Sequence, residues 1–175
     1  MRPKTKVPIT CGMENNFDNF PTGAKRISFL GRGIFFVGAS GNFCIRVKPS
    51  NGAVPTGYRS SSSAVWYNGT VTPSGTAPAT TTFLYVFGIA TSLRDFTHAL
   101  TSMNQTPAIG LGQSDTSTVW VSTGTMGAQY SAGAAYGCIN QGGMIDPGAV
   151  LTGVQIFSSD GTAFDAGTIT VICEG

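Results

Sequence analysis

Val150-Leu-Thr-Gly-Val-Gln-Ile-Phe-Ser-Ser-Asp-Gly-Thr-Ala-Phe-Asp-Ala-Gly-Thr-Ile-Thr-Val-Ile-Cys-Glu-Gly175 is the stretch that decides the fold class. Two runs rich in β-branched residues flank a loop built on Asp160-Gly161 and Ala166-Gly167. Asp-Gly between such runs signals a hairpin, because glycine takes a positive φ at no steric cost. The second run alternates as a strand does, with Ile169, Val171 and Cys173 on one side and Thr168, Thr170 and Ile172 on the other. Phe164 in the loop reads as a plug folded back onto a core. The chain stops shortly after Cys173, so this strand is expected to finish its sheet.

Working upstream, the same alternation predicts strands over 26–30, 33–37 and 43–48, with turns at Gly31-Arg-Gly33 and Ser40-Gly-Asn42. Val65-Trp-Tyr67 and 118–123 read as further short strands. Residues 81–89 form the most hydrophobic run, the pattern of a central strand buried on both faces. Thr70 to Thr82 reads as an exposed loop. The Gly/Ala-rich 124–149 segment reads either as a long excursion or as a tightly packed strand pair. One short helix is expected over 91–103. Ser92 would cap it, Asp95 would sit at capping-box spacing, and Phe96, Ala99, Leu100 and Met103 would form its apolar stripe. Residues 1–24 hold Pro3, Pro8 and Pro21 and read as an extended basic arm, leaving 25–175 as the folded domain. The expected architecture is therefore all-β, an antiparallel β-sandwich with jelly-roll as the preferred topology.

Composition narrows the function class. Of 175 residues 41% are hydrophobic, enough for a core, and only 10% are charged, well below the ~25% of an ordinary soluble domain. Such a surface suits a protein that spends area against neighbours. Residues 1–59 carry nine of the ten basic residues and two acids, Glu14 and Asp18. Residues 60–175 carry Arg94 alone against six acids. A nucleic-acid binder, an assembly protein with complementary ends and an ordinary solvated surface all fit that split. The mobile basic arm favours assembly among the functional readings. No apolar run is long enough for a membrane helix, and Met1 to Gly12 lacks the apolar core of a signal peptide. Cys11, Cys44, Cys138 and Cys173 form no C-x-x-C pair and are expected as reduced, buried thiols.

Two stretches resemble a known class of protein. The order of strand, Ser-Ser, Asp-Gly, Phe, Ala-Gly and strand over 150–175 is similar to the closing segment of small jelly-roll virion proteins of tailed bacteriophages. Arg26 to Val47, with a Gly-ended strand, an aromatic strand, a small-residue turn and Ile45-Arg-Val47, resembles their first half. The resemblance implies a capsid decoration (cement) protein. It would be a homotrimer on the exterior of the virion, bridging subunits of the major capsid protein and contacting copies of itself. Arg2, Lys4, Lys6, Arg26, Arg32, Arg46 and Lys48 are the expected docking residues, and Tyr130 and Tyr136 the expected inter-subunit packing residues. The alternative is the receptor-binding knob of a tail or head fibre, reading a host glycan with Trp66, Tyr67 and Asn68.

Chemistry-bearing patterns are sparse. His98 is the single histidine, Asp95 lies three positions before it, and no G-x-S-x-G elbow accompanies them, so a structural histidine is expected. Asp160 and Asp165 read as turn and strand-start residues rather than as paired carboxylates. No catalytic residue, metal, cofactor, membrane or specific nucleic acid is expected.

Overall fold

Period-two alternation governs the chain from end to end. The computed structural model describes residues 4–8, 14–21, 23–36, 43–52, 56–67, 71–76, 84–87, 94–103, 118–130 and 135–175. These form β1 (Lys4–Pro8), β2 (Glu14–Phe17), β3 (Arg26–Phe36), β4 (Phe43–Pro49), β5 (Arg59–Tyr67) and β6 (Val71–Thr76). They continue with β7 (Leu84–Phe87), β8 (Arg94–Ser102), β9 (Trp120–Tyr130), β10 (Ala135–Ile145), β11 (Leu151–Ser158) and β12 (Phe164–Glu174). There is no helix among the described residues. The strands make an eight-stranded sheet, β1-β12-β3-β8-β9-β10-β5-β6, and a four-stranded sheet, β2-β11-β4-β7. Every pairing is antiparallel.

The two sheets share one core. In β3, Ile27, Phe29 and Ile34 are buried, while Arg26, Leu30 and Arg32 are exposed. In β4 the buried residues include Phe43, Ile45 and Val47. Across the gap between sheets, the Phe43 ring lies 4.7 Å from that of Phe96 and 6.1 Å, edge-on, from that of Phe164. Fully burying a side chain of this size contributes about 1.5–3 kcal/mol. Pairing is nested: β3 pairs with β12 in one sheet and β4 with β11 in the other. The two-chain ribbon therefore passes from sheet to sheet around the core.

Several expectations are corrected. The 150–175 stretch holds two strands, but they are not a hairpin, because β11 lies in the small sheet and β12 in the large one. Asp160 still makes the turn, its Oδ1 accepting from Ser158 Oγ at 2.5 Å and from the Thr162 N–H at 3.0 Å. Phe164 is the expected plug, fully buried. With that ring anchored in the core, the ladder partners of β11 and β12 are strands far away in sequence. The segment expected as a helix is strand β8 from Arg94 onward, sandwiched between β3 and β9. Phe96, His98 and Leu100 alternate inward, whereas Met103, needed in the helical stripe, is 56% exposed. The turn expected at Gly31-Arg-Gly33 is a bulge inside one continuous strand. Both of its ladders shift register there, Gly33 has φ 60°, and a Cβ on Gly31 would overlap the Phe96 ring. The hydrophobic run supplies β7, an edge strand rather than a central one, and part of the expected loop at 70–82 is β6. Residues 4–8 and 14–17, read as arm, pair with β12 and β11 respectively. Pro8 is tolerated because β1 is an edge strand.

Candidate functional site

The eight-stranded sheet has an outer face that the small sheet does not cover. Alternation along β3 puts Arg26, Ser28, Leu30 and Arg32 there. Register then extends the face sideways. Leu30 pairs with Thr170 and Thr97, Thr97 with Thr125, and Thr125 with Asn140. On the other side Lys6 stands opposite Thr170 and Lys4 opposite Ile172. Arg59 stands opposite Met144, a 40% exposed residue of the same face. The result is a row of hydroxyl and amide side chains with cations at its borders. Such a face is normal for one side of an antiparallel sheet, but here it is concave. A depression of about 410 Å³ reaches from Arg26 across Thr123 to Asn140. A second, of about 510 Å³, reaches from Arg32 to Thr168. They adjoin at Leu30, Thr97 and Thr125.

The seven expected docking residues do not form one surface. Arg26 and Arg32 lie on this outer face, with Lys4 and Lys6 at positions of the same face on its edge strand. Arg46 and Lys48 lie on the opposite side of the sandwich and are engaged within the chain. Arg46 Nη1 donates to Gln155 Oε1 at 2.9 Å, and its guanidinium stacks 4.6 Å from the Phe157 ring centroid. Lys48 Nζ pairs with Asp18 at 2.8 Å. By contrast, Arg26, Arg32 and Arg59 make no ion pair among the described residues, and Arg26 reaches only Ser28 Oγ, at 3.3 Å. The nearby carboxylate Asp95 is used locally, accepting the Gly33 N–H at 2.7 Å. Arg2 lies outside the described residues.

Tyr136 pairs with Tyr67 and with Gln129, while Tyr130 pairs with Ala135 at the end of the β9–β10 ladder. Trp66 and Tyr67 are consecutive strand positions, which fall on opposite faces, so they do not share a stacking platform. Asn68 lies outside the described residues.

A buried polar cluster beneath the outer face escaped the sequence reading. His98 is 3% exposed and its Nε2 lies 3.0 Å from Ser122 Oγ. Ser122 in turn bonds Gln141, at 3.0 and 3.1 Å. Nδ1 of His98 has no partner. Gly124 is opposite His98 in register, and a Cβ there would collide with Nδ1. The network assigns the tautomer: Nε2–H donates to Ser122, whose hydroxyl donates to Gln141. This leaves an unpaired acceptor, which is less costly to bury than an unpaired N–H. Burial lowers the His98 pKa from 6.5 to about 3, so the ring is neutral. Asp95 and His98 fall on opposite faces of β8 and do not form a dyad. Cys44 and Cys173 are buried free thiols, and burial pushes both up; Cys138 is exposed, and Cys11 lies outside the described residues. Among the described residues no cluster of three or more histidine, cysteine or carboxylate side chains could hold a metal ion.

No family model matches the chain, and no curated protein matches it. Among solved structures, the chain has a likeness to the infectious bursal disease virus Gt strain, at 11% identity and TM-score 0.18. It covers 98% of this chain and 42% of that one. The infectious bursal disease virus VP2 subviral particle gives 11% identity and TM-score 0.16, with 98% of this chain and 41% of that chain covered. The chain thus spans about two fifths of the length of each. Likenesses this low carry no argument about fold or role.

Proposed function

We propose that this protein is a structural component of a tailed-phage virion, a capsid decoration or cement protein, and that it docks through the outer face of its eight-stranded sheet. One observation carries the reading. The basic residues of the small sheet are engaged by their own chain, whereas Arg26, Arg32 and Arg59 stand free of ion pairs among the described residues on one broad concave face. A surface with few charges and uncommitted arginines suits contact with an acidic protein shell. We read the nested β3·β12 and β4·β11 pairings as the rolled ribbon of a jelly-roll. Docking would bridge neighbouring subunits of the major capsid protein, with about 1,000 Å² or more buried per durable contact. A trimer would pack near the β9–β10 end that carries Tyr130 and Tyr136. The fibre-knob alternative loses support, since Trp66 and Tyr67 occupy opposite faces.

The test is co-sedimentation of purified protein with stripped phage capsids at low and high salt, alongside host cells. Saturable binding to capsids in a fixed ratio, weakened by salt, is the expected result. Binding to cells that free glycan competes away, with none to capsids, would overturn it.

A further inference from the structure

The two depressions on the outer face form one groove running along β3, and its ends are marked by Arg26 and Arg32. Six residues of strand separate these arginines, a span of about 20 Å at 3.3 Å per residue. Between them the wall presents Leu30, 43% exposed, and the floor presents Thr97, Thr125 and Asn140. We infer that this groove seats an extended acidic segment of the partner protein, with carboxylates about six residues apart meeting Arg26 and Arg32 and an apolar residue resting on Leu30. An extended peptide has the same rise as the strand beneath it, so a spacing that matches at one end matches at the other. Arginine forks suit carboxylates geometrically, and threonine and asparagine side chains can both donate to and accept from a peptide backbone.

Nucleic acid fits less well. One strand of a duplex carries a phosphate about every 3.4 Å, which calls for cations far denser than two at the ends of a ~20 Å groove. Unpaired bases would want aromatic platforms, and no aromatic ring stands on this face among the described residues of β3, β8 and β9.

The inference rests on the docking face assigned above, and its test separates the two. Fluorescence anisotropy on the full chain at low salt would compare four labelled probes. These are an extended peptide with glutamates spaced as Arg26 and Arg32 are, an isomer with those glutamates adjacent, a single-stranded oligonucleotide, and heparin. The spaced peptide is expected to bind roughly tenfold tighter than its isomer and than either polyanion. Arg26→Glu and Arg32→Glu should each remove most of that preference, Leu30→Ser should weaken it, and Arg46→Glu, on the far side, should leave it unchanged. Equal binding of the two peptides, tighter binding of oligonucleotide or heparin, or indifference to Arg26→Glu and Arg32→Glu would overturn it. Circular dichroism of each variant confirms folding, and the milder Arg26→Gln and Arg32→Gln replace any that fail. Capsid binding without the peptide preference sinks the groove and keeps the docking role. The peptide preference without capsid binding does the reverse.

Discussion

Acidification should destabilise this protein through one side chain. His98 sits fully buried between Phe29 and Ser122, its ring centroid 6.0 Å from that of Phe29. Protonation would add a charge at Nδ1, which has no partner. The native pKa is about 3 against 6.5 for an unhindered histidine, and burial is its cause. A base whose native pKa is depressed binds fewer protons folded than unfolded. Its contribution to stability is complete above pH 6.5 and declines as pH falls toward the native value. Each pH unit in that interval costs up to ~1.4 kcal/mol, so lowering the pH from 6.5 to about 4.5 should remove about 3 kcal/mol. Urea unfolding followed by tryptophan fluorescence at several pH values measures this directly. The control is His98→Gln, whose amide nitrogen reaches the place of Nε2 and can still donate to Ser122 without titrating. The variant should start less stable at neutral pH and show a nearly flat profile between pH 6.5 and 4.5. Asp146 does not confuse the window. Its pKa is lowered by hydrogen bonds from Thr118 and the Gly148 N–H, so its contribution persists above 3.8 and is lost only in stronger acid. If His98→Gln loses stability as steeply as the parent, His98 is not the acid-sensitive group and the reasoning fails.

Other outcomes can be stated from single contacts. Tyr58→Phe deletes the hydroxyl that accepts the buried Val47 N–H at 3.0 Å, and should cost about 1–3 kcal/mol in urea unfolding. Burial raises the Tyr58 pKa from 10.0 to about 12, so its contribution is present below pH 10 and lost as pH rises toward 12; the variant should lack that alkaline decline. Phe164→Ala removes the plug against Phe43 and should cost about 3–5 kcal/mol, read as a fall in thermal midpoint.

Much of the fold was legible because alternation is a local signal. Ile27, Phe29, Phe43, Ile45, Val47, Ile169 and Val171 read as inward positions, and each is buried. What was not legible is what alternation leaves open. Asp160-Gly161 predicts a turn and makes one, but whether the strands it joins pair with each other depends on distant partners. Phe96, Ala99, Leu100 and Met103 satisfy a helical period while Phe96, His98 and Leu100 satisfy a strand period. Only the neighbours β3 and β9 decide between them. Likewise, Arg26, Arg32, Arg46 and Lys48 looked equivalent in the sequence. Their division between two outer faces follows from sheet membership, and the commitment of Arg46 follows from Gln155, more than a hundred residues away. The cluster of His98, Ser122 and Gln141 had a faint signal: a histidine at an inward-alternating strand position needs a polar partner at an adjacent register position.

The leading segment shows why charge and structure must be tested separately. Read from sequence it is a basic arm, and removing residues 1–10 would test whether it docks. In the structure that deletion also removes β1, which covers the edge of β12 from Thr168 to Ile172. A newly exposed strand edge offers unpaired N–H and C=O groups to any other chain. Loss of capsid binding by the truncated protein could then reflect aggregation, and retained binding could reflect edge pairing. Substituting Lys4 and Lys6 by glutamine keeps every backbone hydrogen bond of β1 and removes only charge. If docking is electrostatic through the outer face, this change lowers affinity and flattens the salt dependence while unfolding stability holds. Affinity and salt dependence that survive the Lys4 and Lys6 substitutions, and fall only with Arg26 and Arg32, would place the electrostatic contact in the groove rather than at the edge.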